Sequence, residues 1–348
     1  MKALVTGANG HIGSHVVRAC VEAGIEPITF VRPGSDRRGL ARLDVEVREG
    51  DLLDAASLHR AAAGVEVVFH VGAVHRNWAA DDAKMMGPAV EGTRNVLDAA
   101  RRAGVRCVVH TSSGATVGFT PDPTRPLDEG SFNRSARSLY TRSKIAAEEV
   151  ALGAAGSDLS VVVVNPSGVF GPRDYRLTPA TRAIVGLLQG DPAFLAVCVS
   201  DVRDVARGHV LAATKGKSGR RYLLTGDLLQ PKELSGTFGA VGGVAPPVMR
   251  PPRFLLRFMA GLGERRARKT GQDPPLTRDV VEDVYGRHLA YSGSRARSEL
   301  GVTMRPAADV LRDTFRWLLF VDALKPKVAA RVRHALGAAA APDPDWTR

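Results

Sequence analysis

The chain has 348 residues, 44% of them hydrophobic and 24% charged, a balance that supports a sizeable buried core and excludes disordered and low-complexity proteins. No apolar run approaches the roughly 20 residues that span a bilayer, and Cys20, Cys107 and Cys198 lack the paired spacing of a zinc site or a disulfide framework, so no metal is expected. The net charge of +12 comes from arginines spread along the chain; no aromatic residues alternate with the densest basic stretch, 264–269, which argues against nucleic acid and for steering of a phosphate-bearing ligand.

From residue 2 to residue 164 short β-rich runs alternate with helical stretches. That rhythm predicts stacked βαβ units, hence an α/β chain with a doubly wound parallel sheet covered on both faces. Strands are expected at 2–6, 27–31, 45–47, 65–69, 106–111 and 160–164. Helices are expected at 12–23, 55–63, 90–103 and 138–156, the first and third ending near Gly24 and Gly104 as helix C-termini tend to. Met1 leads straight into the first strand with no charged and apolar leader, so the expected location is cytoplasmic, with no membrane span. After Asn165 the rhythm loosens, and proline clusters at 246–252 and 274–275 break the longer segments. The division expected is a core over 1–165, with 201–225 returning to it as a helix and a short strand. A smaller substrate lobe takes 166–200 and 226–324, and a frayed tail takes 325–348. Within the lobe, Phe254-Leu255-Leu256-Arg257-Phe258-Met259 reads as a helix that lines a pocket or packs a lid, with contact to a membrane surface as the alternative.

Immediately after the first strand stands Thr6-Gly7-Ala8-Asn9-Gly10-His11-Ile12-Gly13, opening an amphipathic helix. The diphosphate of a dinucleotide needs such a place: glycines remove the Cβ atoms that keep backbone N–H groups away, and the helix N-terminus adds the positive end of its dipole. The glycine spacing is three and three rather than the two and three of the commoner fingerprint, so position after the first strand of an alternating chain carries the argument. About 20 residues on, where an acid would hold the ribose hydroxyls of NAD, stands Arg32. A cation there pairs with a 2′-phosphate, which favours NADP(H). In the alternative Arg32 stacks on the adenine, Asp36 meets the ribose and the cofactor is NAD(H). Asp51 and Leu52 follow the third strand, where a carboxylate accepts from the adenine amino group. Val71 and Ala73 end the fourth with small residues that let a cofactor lie against the backbone.

Tyr140 and Lys144 stand four residues apart and on a helix share one face. A tyrosine at its ordinary pKa of about 10 is a poor acid or base near neutrality. A cation a few ångströms away favours the phenolate and is expected to lower that pKa towards the working range. The lysine is also able to hydrogen-bond the nicotinamide ribose. Upstream, Thr111-Ser112-Ser113-Gly114 leaves a strand at its C-terminal end, the edge where open α/β sheets bind ligands. A serine hydroxyl there donates to a substrate oxygen as it becomes an alkoxide; Ser113 is preferred over Ser112 and Thr111, with Thr111 on the cofactor side.

Taken together, the TGANGHIG turn, Asp51-Leu52, the serine strand, YTRSK at 140–144 and Asn165-Pro166-Ser167-Gly168-Val169-Phe170-Gly171-Pro172 resemble the extended short-chain dehydrogenase/reductase family of NAD-dependent epimerases and dehydratases, over nearly the whole chain. The likeness is greatest to its branch of dihydroflavonol reductase-like proteins and hopanoid-associated sugar epimerases, through VRPGSDRR, VEGTRNVLDAARRAGV, VVNPSGVFGPRD and VRDVARGHVLAA. The resemblance implies a Rossmann core, a C-terminal substrate lobe and a catalytic triad of Ser113, Tyr140 and Lys144. It also implies that Pro166 and Val169 sit against the nicotinamide and that the chain pairs as a homodimer. Ala89 stands where relatives commonly carry an asparagine.

The first functional expectation is reduction of a ketone by NADPH, or the reverse oxidation. His75, Asn77, Trp78, Asn165 and Phe170 are substrate-side candidates from their positions after strand ends. The alternative is a nucleotide-sugar epimerase that reduces and reoxidises its cofactor within one cycle; dehydration is disfavoured because Ser113-Gly114-Ala115 lacks the acidic pair of the family's dehydratases. A third expectation, from another class, is a regulator that binds dinucleotide without catalysis, against which the presence of both Tyr140 and Lys144 counts.

Overall fold

Successive residues of a strand point to opposite faces, and in this chain both faces of the central strands are apolar, so the sheet demands cover on two sides. The structure is a computed structural model that describes residues 1–72, 82–271, 274 and 276–347. The first half of the chain runs β1 (Lys2–Thr6), α1 (His11–Glu22), β2 (Glu26–Val31), β3 (Glu46–Glu49), α2 (Ala55–Ala62), β4 (Val67–His70), α3 (Ala83–Arg102), β5 (Cys107–Thr111), α4 (Leu139–Gly153) and β6 (Ser160–Pro166). The strands pair in parallel in the spatial order β3-β2-β1-β4-β5-β6. Ala3, Val5, Val67, Phe69 and Val109 meet Val16, Val17 and Cys20 of α1 in one core. Leu4, Ile28, Val68, Val108 and Val163 meet Val96 and Ala100 of α3 and Ala151 of α4 in the other. The strand order reverses between β1 and β4, which leaves a crevice at their C-terminal ends.

The elements lie where the periodicity predicts them, within a few residues. The largest difference is α3, which begins at Ala83 rather than at 90. Gly87 and Pro88, both poor helix formers, are accommodated inside the helix.

The second half runs β7 (Val169–Phe170), α5 (Pro179–Leu188), β8 (Val197–Asp201), α6 (Val202–Lys215), β9 (Arg221–Leu224), β10 (Asp227–Leu229), α7 (Pro231–Gly242), α8 (Arg253–Thr270), α9 (Arg278–Val284), α10 (Ala307–Phe320) and α11 (Pro326–Leu336). Asp201 caps α6 by accepting from the Arg203 N–H at 2.7 Å, and α6 packs on α1. β9 then pairs in parallel with β6 and completes a seven-stranded sheet, the Rossmann arrangement. A second small sheet, β10-β8-β7, encloses the lobe core with α5, α7, α10 and α11, around Phe170, Leu188, Phe238 and Phe315.

The tail expected to fray is instead built into this lobe. Ala329, Val332 and Leu336 of α11 are buried in its core, and Trp346 packs edge-on against Trp317 with ring centroids 5.2 Å apart. Arg42 Nη1 donates to the Pro344 carbonyl at 2.7 Å, and the Tyr175 hydroxyl donates to the Thr347 carbonyl at 2.6 Å. Alanine, proline and charge suggested a loose end; the apolar residues at helical spacing supply the buried face that keeps it docked. No described helix is long and apolar enough to cross a membrane.

Candidate active site

The C-terminal ends of the central strands open onto a cleft of about 810 Å³. Its floor is the glycine turn between β1 and α1. Gly7 has φ of +65°, and a Cβ there would lie 2.6 Å from the Gly72 Cα; one on Gly13 would lie 2.1 Å from the Gly7 carbonyl oxygen. No larger residue fits either place. Gly10 caps α1 without a side chain, and the first turn carries no acid, so the leading N–H groups are left for a ligand. Gly7, Asn9, Gly10, His11, Ile12 and Gly13 all line the cleft. This cradle of uncapped N–H groups, in which a Cβ has no room, fits the diphosphate of a dinucleotide.

The walls next to the turn are tied together. Thr6 Oγ1 accepts the Gly72 N–H at 3.1 Å and bonds His70 Nδ1 at 2.8 Å, locking the ends of β1 and β4. His11 and His15 both donate Nε2–H to the Pro172 carbonyl at 3.1 Å, which fastens the start of α1 to the lobe. Arg32, at the end of β2, is exposed and lines the cleft, and no acid pairs with it among the described residues. Asp36 is taken by Arg38, whose Nη2 lies 2.8 Å from Oδ2; that bond holds the Asp36 carboxyl below its usual range. Asp51, Leu52, Val71, Thr111, Pro166 and Val169 line the same cleft.

At the chemical end, Ser113 follows β5 and its Oγ accepts the Ala115 N–H at 3.2 Å. Tyr140, on the first turn of α4, lines the same cleft as Ser113, and the Ser113 side chain favours its phenolate. Lys144, one turn further along the same face, is buried and donates to the Thr111 carbonyl at 3.0 Å. Burial pushes the Tyr140 phenol above its usual value, and Ser113 only partly opposes it. This corrects the expectation that Lys144 lowers it: the ammonium is directed at the Thr111 carbonyl, and loss of solvent around the phenolate outweighs its field. Burial brings the Lys144 amine down to about 8, opposed by the carboxylate of Glu148 on the next turn of α4.

Glu148 is buried and gathers the residues behind the site. Its Oε2 accepts from Thr116 Oγ1 at 2.7 Å, from Asn165 Nδ2 at 2.9 Å and from the Ser112 hydroxyl. Asn165 is therefore an internal brace, not the substrate-side residue its position suggested; it is fully buried, with its amide committed to Glu148 and Thr116. Phe170 likewise does not face the cleft and packs in the lobe core. Position after a strand end does not say which face a side chain takes, and these two strands are covered on the relevant side. Ala73, His75, Asn77 and Trp78 lie outside the described residues. Sequence reasoning missed the lobe wall, where Arg176, Arg182, Val280, Asp283 and Val284 line the cleft. Asp283 accepts from the Arg137 and Ser138 N–H groups, each at 2.9 Å. Glu148 alone carried a legible signal, its four-residue step from Lys144.

Residues 3–224 match the NAD dependent epimerase/dehydratase family. The chain is similar to a putative dihydroflavonol 4-reductase of Synechocystis sp., 33% identical over 323 residues that cover 90% of this chain and 93% of that protein. It is also similar to sterol demethylase protein B of Methylococcus capsulatus, 32% identical over 332 residues covering 91% and 98%. Among solved structures, gox2253 superposes with a TM-score of 0.79 at 35% identity, covering 93% of this chain and 99% of that one. The chain belongs to the NAD-dependent epimerase/dehydratase family and is an NAD(P)-dependent enzyme of the extended short-chain dehydrogenase/reductase type.

Proposed function

We propose that the chain is an NADPH-dependent ketone reductase in which Tyr140 is the proton donor, Ser113 orients the carbonyl and Lys144 supports the tyrosine. The single observation that carries the reading is that Ser113, Tyr140 and Lys144 line the same cleft as the glycine turn, with Lys144 one turn after Tyr140 on α4. Two hydroxyls that line one cleft beside each other serve one carbonyl oxygen set between them. When bound, the reduced nicotinamide supplies a hydride to the carbonyl carbon. Tyr140 then gives its proton to the oxygen while Ser113 donates a hydrogen bond to it, and the alcohol results; the phenolate left on Tyr140 regains a proton from solvent. The raised pKa of the phenol suits this direction, because it stays protonated near neutrality. The buried Lys144 ammonium stabilises the transient phenolate and, lining the cleft, would hold the ribose of the nicotinamide end.

Arg32 supports NADP(H) over NAD(H). It stands exposed in the cleft without an acid partner among the described residues, while Asp36, the rival ribose ligand, is engaged by Arg38. The dissociation constant for NADPH is expected at least tenfold below that for NADH, with Arg32→Ala erasing the difference; tighter NADH binding would reverse the preference. For the chemistry, Tyr140→Phe removes the proton donor and keeps the ring. Turnover on a panel of ketones is expected to fall at least a thousandfold with cofactor affinity nearly unchanged, and a variant that still turns over refutes the assignment.

One observation favours a second reading. Arg176 and Arg182 line the lobe wall of the cleft, and guanidinium groups there suit the diphosphate of a nucleotide sugar. Epimerisation is distinguished by interconversion of two sugars with no net consumption of cofactor.

A further inference from the structure

We infer that the outward face of α8 seats on an anionic lipid surface. Of the large apolar side chains that are exposed among the described residues, only Met1, Val21, Val47 and Leu53 lie outside the segment from Val248 to Leu262. Within it Phe254 is 74% exposed, Phe258 63% and Met259 57%. Isolated exposed apolar residues need no explanation, but a contiguous patch marks a surface that is covered in use.

The helix is two-sided. Leu256 and Ala260 pack with Val281 of α9 in a small core, and Ala267 is buried on the same side. Phe254, Leu255, Phe258, Met259 and Leu262 recur at steps of one, three and four residues, which places them together on the opposite side. At 100° per residue that stripe continues directly into Arg265, Arg266 and Lys269, all exposed. One outward face is thus apolar along its first half and cationic along its second, over a helix of 18 residues, about 27 Å long.

Charge identifies the occupant. The one acid of α8, Glu264, is held by Arg278 at 3.4 Å. Arg253 and Arg257 pair with Glu282, whereas Arg265, Arg266, Arg268 and Lys269 have no acid partner among the described residues. A second copy of the chain packed antiparallel on this face would set the cationic half of each helix against the apolar half of the other, and a parallel one would set the cationic halves together, in either case without an acid to meet them and on a protein that already carries +12. An anionic bilayer takes both halves at once, apolar side chains entering the headgroup boundary and cations resting on phosphates. The patch borders the cleft through α9, whose Val281 packs under α8 while Val280 and Val284 line the cleft. Seating is independent of the catalytic reading above.

The test is flotation of the full chain with vesicles of phosphatidylcholine alone or of phosphatidylcholine and phosphatidylglycerol at three to one. Binding to the anionic vesicles is expected to exceed that to the neutral ones at least tenfold and to fall at high salt. Phe254→Ser/Phe258→Ser, and separately Arg265→Glu/Arg266→Glu/Lys269→Glu, are each expected to lower it tenfold or more without changing the thermal melt, since every altered side chain is exposed. Leu262→Trp gives a second readout, a blue shift of its emission on anionic vesicles only. Failure to float with anionic vesicles, equal binding by the variants, or no shift at position 262 overturns the inference. So does light scattering that shows a lipid-free dimer which Phe254→Ser/Phe258→Ser turns into a monomer, because a second copy then covers the face.

Discussion

Arg221 on β9 sets its Nε 2.5 Å from the carboxylate of Glu148 on α4, and both side chains are buried. The same guanidinium donates to the Glu129 and Ser131 carbonyls and to Thr116 Oγ1, and it lies over the Phe132 ring at 5.1 Å. The last strand of the sheet is thereby pinned to the helix that carries Tyr140 and Lys144. Removing one partner of a buried pair leaves the other charge uncompensated, at a cost of about 3–5 kcal/mol. Arg221→Met is expected to lose stability of that order in urea unfolding. Glu148→Gln is expected to lose less, because its amide retains hydrogen-bonding capacity towards its neighbours. A loss for Arg221→Met under about 1 kcal/mol, the range of exposed pairs, would show that the pair contributes little.

The pH profile follows from the two shifts along α4. The Lys144 amine sits at about 8, so below that pH it carries the charge that stabilises the Tyr140 phenolate, and above it the charge is lost. Ketone reduction is expected to hold level through neutrality and fall as pH rises through about 8; alcohol oxidation, which needs the phenolate, is expected to climb with pH. Glu148 holds the charge on Lys144, so Glu148→Gln moves the fall to lower pH. For stability the sign is opposite. Burial costs the fold while the amine is protonated, and stability is regained as pH rises from about 8 through its ordinary value of 10.4. Lys144→Met removes that rise, which unfolding at several pH values measures.

Gly13 tests the cradle. A Cβ there meets the Gly7 carbonyl at 2.1 Å, backbone against backbone, so the turn itself must open. Gly13→Ala is expected to weaken NADPH binding more than tenfold and to destabilise the fold by about 1–3 kcal/mol. Gly24→Ala is the control: its φ of +70° gives strain but its Cβ meets nothing, and it stands away from the cleft, so it costs stability alone. Equal cofactor affinity in the two variants would separate the turn from the cofactor.

Legibility in the sequence followed the range of the interactions. β1 and β5 were readable because a strand buried on both faces carries consecutive apolar residues, here Ala3-Leu4-Val5 and Cys107-Val108-Val109, and the glycine turn because backbone crowding admits one residue type. Tyr140 and Lys144 were readable because helical spacing alone puts them together. Asn165 and Phe170 were misplaced because the side of a strand end that faces the cleft depends on what covers it, here Glu148 and the lobe core. The tail was misread because composition hid the buried face at Ala329, Val332 and Leu336. The sign of the Tyr140 shift was missed because pairing was visible in the spacing and burial was not.

Asp283 is the long-range contact that no local pattern announces, and it yields a test of how the lobe serves the chemistry. Its carboxylate takes the N–H groups of Arg137 and Ser138 at 2.9 Å each, immediately before α4, and Ser138 in turn caps the helix at Thr141. Tyr140 lies on that first turn, so the carboxylate sets where the phenol stands. Asp283→Ala strands both donors, and a shift of about 1 Å at the reacting atom is enough to cost about a hundredfold in rate. The expected result is a fall in kcat of ten- to a hundredfold with NADPH affinity unchanged, since the glycine turn is untouched. Asp283→Asn keeps one acceptor oxygen and is expected to recover part of the loss. A variant that loses stability but keeps kcat would make Asp283 a brace for the lobe with no bearing on Tyr140.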